Sequence, residues 1–133
     1  MSIQARGTFD VQASPQPPYD TAEGATLSRV SISKQFQGDL EAISTVEMLG
    51  AMTETKGSAG YVAIERVKGK LHGRTGSFVL QHSGTMMRGE QELVVSVVPD
   101  SGTNELKGIS GKMKIDIVEG KHLYTFDYII NDE

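Results

Sequence analysis

Short runs that alternate apolar and polar residues recur along the whole chain, and glycine-bearing stretches separate them. Alternation with a period of two is the mark of half-buried strands, since successive side chains of a strand point to opposite faces. The runs fall at about residues 3–13, 25–36, 40–52, 59–72, 76–87, 90–98, 111–118 and 121–130, and each reads as a strand. No window carries a capped helical period, and only Gly102 to Gly108 has room for one short turn of helix. Two connections are long. Ser14 to Gly24 holds Pro15, Pro17 and Pro18, which cannot donate ladder hydrogen bonds, and reads as a loop. Pro99 to Ser110 is the other. The remaining links are short, which makes neighbouring strands antiparallel.

Side-chain parity tests this reading, because a register slip of one residue sends every side chain to the other face. A turn centred on Gly73-Arg74 sets Leu71 opposite Gly76, Val67 opposite Leu80 and Glu65 opposite His82. One face then carries Tyr61, Ala63, Glu65, Val67, Leu71, Phe78, Leu80 and His82. The other carries Arg66, Lys68, Lys70, Ser77, Gln81 and Ser83, with Val62, Ile64 and Val79 as apolar exceptions. A turn at Arg88-Gly89 puts Gly84 against Leu93, His82 against Val95 and Leu80 against Val97, so the apolar face continues. A turn at Glu119-Gly120 pairs Ile117 with His122, Ile115 with Tyr124 and Met113 with Phe126. The three turns agree on one inner face. An all-β meander of eight strands leaves two exposed edges unless it closes. The expected fold is therefore a closed eight-stranded antiparallel up-and-down barrel, formed by residues 1–133 as a single domain. A two-sheet sandwich is the competing architecture.

Composition narrows the function classes. The chain has 133 residues and a mass of 14.4 kDa, enough for one core. Its net charge is −4, and no basic stripe interleaves with aromatics, which argues against nucleic acid as a partner. There is no cysteine, so disulfides, thiolate metal sites and cysteine nucleophiles are all excluded. Residues 1–6 lack the apolar stretch of a secretory signal, and no segment has the length of a membrane helix. A cytoplasmic location with no membrane partner is the expectation.

Three segments resemble a known family. Lys34-Gln35-Phe36-Gln37-Gly38-Asp39-Leu40-Glu41 is similar to a K-x-F-x-G-D-L-E signature. The block from Glu65 to Gly84 is similar to E-R-x-x-G-x-L-x-G-R-x-G-S-F-V-L-Q-H-x-G. Val98-Pro99-Asp100-Ser101-Gly102-Thr103, with Leu106 and Gly108, is similar to V-P-x-S-G-T-x-x-L-x-G. Together they resemble an uncharacterised bacterial domain-of-unknown-function family with a barrel like that of allene oxide cyclase. Ala42 departs from the glycine common in that family. The resemblance implies the barrel and brings no activity with it.

Candidate chemistry comes from the inner face. Glu65 and His82 form a carboxylate–imidazole pair in apolar surroundings, the arrangement that shifts pKa values and supplies a general acid and base. It serves equally as a structural pair in which each group satisfies the other. Tyr61, Tyr124 and Tyr128 share that face as hydrogen-bond donors, and Phe78, Leu80, Val95 and Phe126 provide apolar walls for a ligand. Lys34 follows Phe36 inward, where its stem would let the ammonium reach the barrel mouth. Arg74 sits at a turn where it would meet an anion at the rim. Ser101-Gly102-Thr103 has the makings of a backbone anion nest, and Tyr19 of a lid. His72, His82 and His122 are the only histidines and fall at different levels of the barrel, so no metal site is expected. Nothing calls for a cofactor. The leading expectation is a small, largely apolar molecule bound inside the barrel. The alternatives are an isomerase or cyclase using Glu65 and His82, and a structural module with a solid core. Outward-facing Val62, Ile64, Leu123 and Ile129 suggest a homodimer.

Overall fold

The computed structural model describes residues 2–131. Eight strands follow in chain order: β1 (Ile3–Pro15), β2 (Ala25–Gly38), β3 (Leu40–Thr53), β4 (Ala59–Leu71), β5 (Arg74–Met87), β6 (Glu90–Val97), β7 (Ile109–Val118) and β8 (Lys121–Ile130). Each pairs antiparallel with its neighbours in sequence, and β1 pairs with β8 to close the barrel. Among the described residues the only helical piece is a 3₁₀ turn, Asn104–Leu106, inside the stretch expected to hold one.

Two of the three expected hairpin registers are the observed ones, including His82 opposite Val95 and Ile115 opposite Tyr124. The β4–β5 hairpin differs. Its turn is His72-Gly73, not Gly73-Arg74, so Glu65 faces Leu80 and His82 faces Ala63. The reason is local. His72 and Gly73 have φ of 47° and 81°, as a two-residue type I′ turn requires at both central positions. Arg88-Gly89 and Glu119-Gly120 have the same signs in the same order. The shift is two residues, which keeps every side chain on its expected face.

The two long connections are more ordered than loops. β1 runs on through Ser14 and Pro15, which pair with Ser31 and Val30. Beyond it, Gln16 N donates to Arg29 O and Tyr19 N to Leu27 O, so the chain stays zipped to β2 without using a proline N–H. Tyr19 itself is exposed, and it is not among the residues that line the pocket in the open half. The segment after β6 is stitched to β5. Thr103 N donates to Ser77 O, Ser77 N to Thr103 Oγ1, and Val79 N to Ser101 Oγ. Ser101 and Thr103 thus tie this segment to β5, and their amides are spent on Val98 O and Ser77 O and not on an anion nest.

The interior is filled at one end only. Leu40, Leu71, Phe78, Leu106, Ile109, Phe126 and Tyr128 are buried at the end closed by the β4–β5 turn and the 3₁₀ turn. Phe78 stacks on Phe126 and Phe126 on Tyr128, with ring centres 5.5 and 5.3 Å apart. Toward the other end the same inner face becomes progressively exposed. On β3 it passes from buried Leu40 and Val46 through half-buried Met48 to Met52, which is 70% exposed, and on β7 from buried Met113 to Ile117 at 68%. The barrel is a cup. Its wall has one weak join, since β6 and β7 pair only through Ser96 and Lys112. On the outer wall Val62, Ile64 and Ile129 are exposed and Leu123 is half-buried.

Candidate functional site

The floor of the cup is a charged cluster contributed by four strands. Lys34 of β2, Ser44 of β3, Glu65 of β4 and His82 of β5 all occupy inner positions by strand parity. Glu65 is 0% exposed, His82 4% and Lys34 9%. The Lys34 ammonium donates to Glu65 Oε1 at 3.1 Å, the Ser44 hydroxyl to Oε2 at 2.7 Å, and His82 Nε2 lies 2.7 Å from Oε1. A buried charge is costly unless paired and hydrogen-bonded, and here no buried side-chain polar atom among the described residues lacks a partner. Burial alone raises the Glu65 carboxyl pKa. The His82 hydrogen bond, the Lys34 charge and the Ser44 hydroxyl outweigh it and hold that pKa below the usual range.

Lys34 therefore ends inside the barrel and does not extend to the mouth. Its Nζ lies 4.8 Å from the centre of the Phe9 ring and 5.9 Å from that of Phe36, close enough for cation–π attraction. Glu65 and His82 meet diagonally across the β4–β5 ladder, not directly opposite. Long side chains span such diagonals.

Tyr61 connects this floor to open space. Its ring lies against Gly84 on the facing strand, where any side chain would collide with it. The hydroxyl reaches to 3.4 Å from His82 Nδ1. Burial first, and then the Glu65 charge, raise the phenol pKa, so the hydroxyl keeps its proton at neutral pH. The same ring lines a pocket of about 400 Å³ in the open half, with Val30, Met48, Met52, Met86 and Leu93. Of the cluster and its neighbour, Tyr61 alone lines this pocket.

The other expected ligand residues lie elsewhere. Phe78, Leu80, Val95, Tyr124, Phe126 and Tyr128 are part of the buried core, and Arg74 is exposed at the closed end. Tyr124 acts as a tie. Its oxygen accepts from Leu40 N and donates to Gln37 O, both at 2.9 Å, which fastens β8 to the β2–β3 turn. Tyr128 bonds His72 Nδ1 at 2.6 Å, and His72 Nε2 lies 3.6 Å from Asp39. Burial raises both phenols. His122 packs on Phe9, and among the described residues no three His, Asp or Glu side chains gather as metal ligands. Sequence reasoning passed over Ser44 and the rim methionines. Ser44 shares the inner parity of Leu40 and Val46, which was the available signal.

Comparison with known proteins places residues 5–128 in the pattern of a protein family of unknown function, DUF3224. A crystal structure of a protein of unknown function from that family, from Shewanella oneidensis MR-1, is 49% identical to this chain. The match covers 98% of this chain and 99% of that one, with a TM-score of 0.93. No curated protein matches the chain.

Proposed function

This chain belongs to the DUF3224 family of proteins of unknown function, and from that premise we propose that its barrel binds one small, largely apolar molecule in its open half. The observation that carries the reading is the asymmetry of the interior, packed at one end and left as a pocket of about 400 Å³ at the other. That volume lies within the usual span of ligand sites, about 300–1,000 Å³. Three methionines in the wall supply a flexible apolar surface that adapts to different shapes. Val30 and Leu93 add to that apolar surface, Ser28 and Gln91 stand among its polar neighbours, and Tyr61 brings the polar contact that leads to the charged floor.

Native mass spectrometry of freshly purified protein tests this, together with titration by the apolar fluorophore N-phenylnaphthylamine. The expected result is a co-purifying small molecule, or saturable fluorophore binding that Met48→Asp weakens. A protein that carries nothing and leaves the fluorophore dark supports a purely structural module instead.

One observation favours a second reading, proton-transfer catalysis of the isomerase type. Glu65, His82 and Tyr61 form a continuous hydrogen-bonded chain from the buried floor to the pocket wall. In this reading Tyr61 exchanges the proton with the substrate, and His82 and Glu65 act behind it. Solvent deuterium entering a carbon position of the bound molecule, and ceasing to enter in Tyr61→Phe, is the outcome expected of an enzyme and not of a binder.

A further inference from the structure

Ser28, Thr85, Gln91 and Glu92 also line the pocket, but Tyr61 is the polar group in its wall that is joined to the charged floor, and the polarity of its hydroxyl is set by residues the ligand does not touch. Glu65 is fully buried and its carboxylate, which only accepts, lies 2.7 Å from His82 Nε2. Nε2 therefore carries a hydrogen. The Lys34 ammonium already balances the carboxylate charge, and a second cation in the same buried place would have no counter-ion. His82 Nδ1 is assigned on these partners as a bare lone pair. The group facing that lone pair is the Tyr61 hydroxyl. Its proton is thereby directed toward His82, across 3.4 Å. The phenolic oxygen offers the pocket its acceptor side only.

We propose that the open half of the barrel selects amphipathic molecules that end in a neutral hydroxyl group, which donates to the Tyr61 oxygen. Molecules of the same carbon skeleton whose polar end only accepts are disfavoured at Tyr61. The inference rests on the reading that this pocket binds a small apolar molecule, and it adds the chemistry of the polar end. A ketone at the same place would have to draw the Tyr61 proton away from His82. Nδ1 would then be left buried without a donor, and an unsatisfied buried acceptor is expensive. A carboxylate would meet the same acceptor oxygen, with the Glu65 charge behind it and Lys34 already paired.

The test is displacement of N-phenylnaphthylamine from the whole protein by three probes of equal carbon number: n-octanol, methyl hexyl ketone and n-octane. n-Octanol is expected to displace the fluorophore at about one-tenth the concentration of the other two, the effect of one net neutral hydrogen bond. In Tyr61→Phe, which keeps the ring against Gly84, that advantage disappears while n-octane binds as before. A ketone that matches n-octanol in the wild-type protein overturns the inference and leaves the pocket reading standing. So does a preference for n-octanol that survives Tyr61→Phe. Displacement by none of the three overturns the pocket reading itself.

Discussion

Complete burial of Glu65 is tolerated because three donors converge on one carboxylate. The dependence runs both ways. Glu65→Gln leaves the Lys34 ammonium buried and unpaired, and is expected to cost about 3–5 kcal/mol in urea denaturation. Adding Lys34→Met removes that orphaned charge, so the double variant should lose less than the two single losses summed. The pH dependence follows from the lowered Glu65 pKa. The unfolded chain takes up a proton on this residue at higher pH than the folded chain does. The contribution is therefore present above the ordinary carboxylate pKa and is lost as pH falls through the folded value. Stability measured across the acid range should decline more steeply in the wild type than in Glu65→Gln. At this scale much of the site was legible in the sequence. Parity put Lys34, Glu65 and His82 on the inner face, because side-chain alternation is a local property of any strand. That the three meet, and that Ser44 joins them, depends on strands β2 to β5 curving together, which no local pattern expresses.

At the scale of elements, turn chemistry decides register. All three two-residue hairpins place glycine second, after His72, Arg88 and Glu119, and each of these non-glycine residues takes a positive φ. Centring the β4–β5 turn one residue late shifted its register by two, whereas the other two turns had their glycine in the right place. The error was harmless to facing and decisive for contacts, since it turned a direct Glu65–His82 pair into a diagonal one. Tyr124 joins elements that no pattern connects. From β8 it fastens the β2–β3 turn through two backbone hydrogen bonds. Tyr124→Phe leaves Leu40 N without that partner in a buried place and is expected to cost about 1–3 kcal/mol. Thermal or urea unfolding measures it, and an unchanged midpoint would show the tie to be dispensable.

At the scale of the whole molecule, the barrel combines a solid half with an open one, and its weakest join runs along the open half. Beyond Ser96 and Lys112 the ladder between β6 and β7 stops, although both strands continue to the rim. Each strand stays paired to its other neighbour, but backbone amides that point across this seam lack ladder partners. Hydrogen exchange should be faster at Leu93 and Ile115 than at Val67 and Phe78, which sit in a continuous ladder. A ligand in the pocket touches β6 through Leu93, so saturation with a bound molecule is expected to slow exchange in β6 more than in β1.

The cup shape also marks where sequence reading ends. By itself the sequence determined the strand count, their up-and-down order and which side chains face inward. These follow from alternation, short links and glycine turns, all of which act between near neighbours. Tertiary structure alone decided which end is filled. That outcome rests on Leu106, brought over one opening by a segment stitched to β5, and on aromatic rings from β5 and β8 that stack far apart in sequence. The same packing turned most of the expected ligand wall into core. It left Tyr61 and the rim methionines around the remaining space, because volume inside a barrel is shared among all eight strands and belongs to none of them.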